Sequence, residues 1–193
     1  LENLVTKVDG LVLGGGMANT FLLAEGKSIG VSLAEPDMVG IAKRIIDVAM
    51  SNDCKLFIPK DVVVAVEFKL GAAHRIAKID DVVDGEMILD AGPEAIAAAS
   101  DFLQACATIV WNGPMGAFEI PPFDAATTAL AKIVAAETQN NGLMSVAGGG
   151  DTMAALANAG VNDQFSYVST AGGAFLEWLE GKRLPGVEAL STD

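Results

Sequence analysis

The chain has 193 residues, with 12 Lys and Arg against 25 Asp and Glu, a formal charge of −13, and 51% hydrophobic but only 19% charged residues. This composition excludes a disordered or collagenous chain. The acidic balance, with no run of Lys or Arg, excludes a nucleic-acid or anionic-membrane surface, since both need basic patches.

At roughly 100–200 residues per domain, one domain with its own core is expected. Residues 1–9 carry neither a basic nor an apolar leader region, so no signal peptide is expected, and the chain opens on Leu1 rather than Met, as a processed form or an excised piece would. A strand is expected over residues 10–13, closed by Gly14-Gly15-Gly16 at the opening of a helix. Gly26-Lys27-Ser28 has the ending of a P-loop, but Phe21 stands where its first glycine should be, so a surface turn is expected. Pro36 and Asp37 signal a helix over residues 37–51, with Val39, Ala42, Ile46 and Ala49 on one face and Lys43, Arg44 and Asp47 opposite.

Further strands are expected over residues 55–58, with a continuation at 62–65, then 87–89, 108–111, 144–147 and 166–168. Helices are expected over 93–105, with Ile96, Ala99 and Leu103 inward, over 124–138 after Pro121 and Pro122, and over 152–159. The isolated His74 reads as a surface or partly buried helix position. This alternation predicts an α/β fold of Rossmann-like kind: three layers, doubly wound, a mainly parallel six-stranded sheet with helices on both faces. Cys54 and Cys106 form no CxxC or Cys/His cluster, and no apolar run reaches the roughly 18 residues of a membrane span. A reduced, cytoplasmic protein is the expectation.

Eight of the 21 glycines fall in three clusters between a strand and a helix: Gly14 to Gly16, Gly148 to Gly150, and Gly172-Gly173. Ligands of open α/β sheets bind at such strand ends, where the backbone can approach closely and the next helix offers unpaired N–H groups. One such cluster is as well explained by a tight turn; three favour a phosphorylated ligand. A dinucleotide fingerprint is disfavoured, because Asn19 takes the place of its third small residue. Asp151 either caps the helix that follows Gly150 or serves as a magnesium ligand beside phosphates. The stretch from Trp111 to Glu119 is either a polar turn or a shaped loop, with Asn112 and Glu119 facing a ligand.

These strings, with Phe21, Ser169-Thr170, Gly172-Gly173-Ala174, Leu179-Glu180-Gly181-Lys182 and Leu184-Pro185-Gly186-Val187 in this order, resemble the C-terminal, nucleotide-binding domain of the phosphoglycerate kinase family over nearly the whole chain. The resemblance implies binding of MgADP and MgATP, and phosphoryl transfer from 1,3-bisphosphoglycerate to ADP, giving 3-phosphoglycerate and ATP. It implies that Gly14 and Gly15 with the loop of Asn112, Gly113 and Pro114 flank the adenine, with Asn112 near the phosphates, and that Glu119 holds the ribose. Gly149 becomes a nucleotide contact, Gly150 and Thr152 phosphate contacts, Asp151 the Mg2+ ligand, and Gly172 and Gly173 the donors that stabilise the phosphoryl group in flight.

Ala171 replaces the first of the family's usual three glycines, and Asp90-Ala91-Gly92-Pro93 replaces Asp-Ile-Gly-Pro. The family's enzymes are about twice as long, are expected to act as monomers, and bind the triose phosphate with an N-terminal domain. Residues 1–193 therefore read as the nucleotide-binding domain without that partner domain, without the first strand and without the Gly-Gly-Ala-Lys turn and its phosphate-contacting lysine. Such a piece is expected to be inactive alone. The alternatives are a free-standing, non-catalytic nucleotide-binding module and, less favoured, an NAD-dependent enzyme with a degenerate glycine fingerprint.

Overall fold

A computed structural model describes residues 1–169, Glu177 and Gly181. Three successive turn bonds wind residues 1–7 before the first strand, with the Val5 N–H reaching the Leu1 carbonyl at 3.0 Å. The described elements are β1 (Gly10–Val12), α1 (Gly15–Ala24), α2 (Val39–Ser51), β2 (Lys55–Phe57), β3 (Asp61–Ala65), β4 (His74–Lys78), β5 (Met87–Ala91), α3 (Pro93–Gln104), β6 (Thr108–Asn112), α4 (Ala125–Asn141), β7 (Met144–Gly148), α5 (Gly150–Ala159) and β8 (Tyr167–Ser169).

The α/β class holds, but the single six-stranded sheet does not. The described strands form three sheets: a parallel pair β1–β2, a parallel sheet ordered β6–β7–β8, and an antiparallel sheet ordered β4–β3–β5. Residues 62–65 are not a continuation of β2. Pro59 lacks the N–H a ladder needs, and beyond it the chain enters a separate strand, β3, that pairs antiparallel with both β4 and β5. β4 has no counterpart among the expected strands: four of its five residues are exposed, and its sequence His-Arg-Ile-Ala-Lys lacks the apolar alternation of a half-buried strand. His74 accordingly opens an edge strand rather than lying on a helix, and its ring meets Phe123 edge-on at 6.0 Å.

Two of the four buried clusters among the described residues carry most of the helix packing. Val5, Leu13, Phe21, Ala42, Ile45 and Ala49 close the space between α1, α2 and β1. Leu103, Trp111, Leu130, Val134, Ala147 and Leu156 join α3, α4 and α5 to β6 and β7. On α2 the buried isoleucine is Ile45 rather than Ile46, which is only partly buried, while Ala42 and Ala49 keep their places on the inner face.

 The starts of α3 and α4 are held by residues distant in sequence. Asp61, at the start of β3, accepts the N–H groups of Glu94 at 3.0 Å and Ala95 at 2.7 Å, capping α3 behind Pro93. Asp90, near the end of β5, accepts the Ala126 N–H at 2.9 Å in the first turn of α4. Among the described residues, no helix is long and apolar enough to cross a membrane.

Candidate functional site

The parallel register of β6 and β7 sets Asn112 beside Gly148, so the chain leaves both strands at the same end of the sheet. Gly149 then takes the N-cap position of α5 at φ 102°, a conformation that side chains with a Cβ rarely adopt. A Cβ there would also stand 3.0 Å from the Asn112 side-chain oxygen and 3.4 Å from Thr152 Oγ1. Thr152 is buried, and its Oγ1 accepts the Gly113 N–H at 2.7 Å. Asn112, Gly113, Gly149 and Thr152 are thus one constellation. The Thr152 side chain anchors the neighbouring loop, and its expected place at the helix start is kept.

No side chain caps α5, and Gly150 and Asp151 are exposed in its first turn. The first N–H groups of a helix have no intrahelical acceptor and carry the positive end of its dipole, so this end suits an anion. The capping reading of Asp151 does not hold, because Gly149 occupies the cap and the Asp151 carboxylate makes no capping bond. Among the described residues, no group of three His, Cys, Asp or Glu side chains is gathered to hold a metal unaided.

The loop after β6 is pinned along its length. The Trp111 indole N–H donates to the Gly113 carbonyl at 2.7 Å, and the Met115 N–H donates to Thr127 Oγ1 at 3.0 Å. The Met115 carbonyl in turn accepts the Gly15 N–H at 2.8 Å, which brings the turn of Gly14 and Gly15 against Pro114 and Met115. Glu119 lies further along, exposed, with its side chain outside any hydrogen bond among the described residues. A groove of about 520 Å³ opens beside the start of α1, lined by Gly16, Met17, Phe21, Leu33, Met38 and Ile41 among others, but Asn112, Glu119 and Asp151 do not line it. Gly172 and Gly173 lie outside the described residues.

Sequence reasoning missed the groups that hold this site in shape. Asp90 and Thr127 are both buried, at 2% and 1% exposure. Burial pushes the Asp90 carboxyl up to about 7, against the pull of the Ala126 and Ala91 N–H groups that favour its charged form. An acid enclosed by the apolar run of Leu89 and Ala91, directly before Gly92-Pro93, was the available signal for a buried cap. Thr127 offered none, since a hydroxyl in the first turn of a helix is common.

The family model described as phosphoglycerate kinase matches residues 1–182 of the chain. The phosphoglycerate kinase of Xanthobacter flavus is 60% identical over 190 residues, which are 98% of this chain and 48% of that protein. That of Rhodospirillum centenum is 58% identical with the same coverage. Among solved structures, phosphoglycerate kinase from Coxiella burnetii superposes with a TM-score of 0.94 at 48% identity, covering 98% of this chain and 48% of that one. Phosphoglycerate kinase from Pyrococcus horikoshii OT3 does so with a TM-score of 0.75 at 25% identity and the same coverage. The chain therefore spans about half the length of the relatives it matches. With glycine-bearing loops at the strand ends, an uncapped helix start and a family match along nearly all of its length, the chain belongs to the phosphoglycerate kinase family.

Proposed function

We propose that this chain is the nucleotide-binding half of a phosphoglycerate kinase, taking MgADP and MgATP at the ends of β1, β6 and β7. The observation that carries the reading is the uncapped start of α5, held 2.7 Å from the Asn112–Gly113 corner by the bond between Thr152 and Gly113. The N–H groups of Gly150 and its neighbours meet phosphate oxygens there without any lysine or arginine, which reconciles a charge of −13 with an anionic ligand. Asn112 contributes an amide to the same corner. Gly14 and Gly15 flank the adenine from one side and the loop of Gly113 and Pro114 from the other, while Glu119 accepts hydrogen bonds from the ribose.

Asp151 is the residue that holds magnesium. One exposed carboxylate beside a phosphate-binding helix start fits this ion, which takes one or two carboxylates and completes its shell with phosphate and water. When bound, magnesium neutralises charge on the nucleotide phosphates. In the reaction, the acyl phosphate of 1,3-bisphosphoglycerate loses its phosphoryl group to a β-phosphate oxygen of ADP, leaving 3-phosphoglycerate and ATP. The accepting oxygen is already anionic, so no general base is required, and the work of this half is orientation and charge stabilisation, with Gly172 and Gly173 as further donors.

The triose phosphate belongs to a second, N-terminal domain, and the working enzyme is a cytoplasmic monomer. The sheet order supports a first strand supplied from that side. Among the described strands β1 pairs only with β2 and β6 only with β7, so each of these parallel sheets keeps a strand edge at which a further strand would fit.

Titration calorimetry of the folded chain with MgADP tests the reading. Saturable heat at or below millimolar concentration is expected, with NADH failing to compete; no heat from a folded sample at millimolar MgADP contradicts it.

A further inference from the structure

We infer that Thr127 is a positioning residue for the adenine end of the site, setting the spacing between the Gly14–Gly15 turn and the loop after β6 through the peptide groups of Met115. This deepens the nucleotide reading above and rests on it. Thr127 is 1% exposed, in the first turn of α4, and its Oγ1 accepts the Met115 N–H at 3.0 Å. The carbonyl of the same Met115 accepts the Gly15 N–H at 2.8 Å. Among the described residues, no other hydrogen bond joins the two loops.

The contact has little slack. A Cβ placed on Gly14 would stand 2.7 Å from the Met115 Cα, so the two backbones already touch. Beneath them lies a cavity of about 20 Å³, lined by Gly15, Asn19, Leu89, Asp90 and Met115 among others, room for about one water. Thr127 itself is fixed, because Asp90 holds the neighbouring Ala126 N–H at 2.9 Å. Removing the hydroxyl leaves the Met115 N–H without its partner. The loop is then free to turn that group towards water, and the carbonyl that holds Gly15 moves with it.

The test measures adenosine and MgADP affinity by calorimetry for the unaltered chain, Thr127→Val and Thr127→Ser, well below their unfolding temperatures. Thr127→Val is expected to weaken adenosine and MgADP by the same factor, roughly tenfold, and Thr127→Ser to restore both. Unchanged affinities in a folded but less stable Thr127→Val overturn the inference and leave the nucleotide reading standing. An unaltered chain that binds neither ligand removes both. A second measurement needs no variant: amide exchange at Gly15 and Met115 slows together when MgADP binds the unaltered chain, and slowing of one alone overturns the coupling.

Discussion

Asp90 Oδ2 accepts the backbone N–H of Ala126 at 2.9 Å, so a buried carboxyl of β5 caps the start of α4, the element that also carries Thr127. The support beneath the loop after β6 is therefore a titratable group.

Asp90 gives the fold a pH dependence of definite sign. Its folded pKa, pushed up by burial to about 7, lies above the ordinary 3.8, so between these values the folded state binds more protons than the unfolded state. Its contribution is fully present below pH 3.8 and is lost as pH rises through about 7. The loss is on the order of a few kcal/mol. Urea unfolding at pH 5.5 and pH 8 is expected to show a larger drop for the unaltered chain than for Asp90→Asn, and equal drops would contradict it.

Asp61 caps α3 with both carboxylate oxygens, on the N–H groups of Glu94 and Ala95. Asp61→Ala strands both donors and is expected to cost about 2 kcal/mol. Asp61→Asn, which keeps one acceptor oxygen, costs less. Denaturant midpoints measure the cost, and amide exchange localises it to α3; a loss spread evenly over the chain would deny the cap its role.

Much of this framework was legible in the sequence. Pro93 and the period of Ile96, Ala99 and Leu103 marked α3 to within one residue of its end. The glycine clusters marked the ends of β1 and β7, because a backbone conformation such as that of Gly149 leaves a residue signature. The caps did not show. Asp61 and Asp90 act on helices reached through strand pairing, so no local spacing links either acid to the N–H groups it holds. The edge strand β4 was equally hidden, since Ile76 is exposed on one face between His74 and Lys78 and the other face pairs Arg75 with Ala77, which breaks the alternation that identifies a half-buried strand.

Asp151 separates the phosphate end from the adenine end. Asp151→Ala removes an exposed carboxylate that caps nothing, so little stability is lost. MgADP affinity is expected to fall about tenfold or more while adenosine affinity stays nearly constant. Equal loss of both ligands would make Asp151 a structural residue.

Thr152 holds the corner itself. Thr152→Val keeps the shape of the side chain but leaves the Gly113 N–H unpaired, at an expected cost of about 1–3 kcal/mol. Thr152→Ser retains the acceptor and most of the stability. Unfolding midpoints compare the two, and a valine variant as stable as the serine variant would show the bond to be dispensable.

The central claim is that the ends of β1, β6 and β7 form one nucleotide site, and residue-resolved NMR of the labelled chain during MgADP titration tests it most directly. The amides of Gly15, Gly113, Gly150 and Thr152 are expected to shift together along one saturating curve, with those in the middle of α3 unmoved. Shifts confined to other surfaces, or none at these four residues in a folded sample at millimolar MgADP, would contradict it.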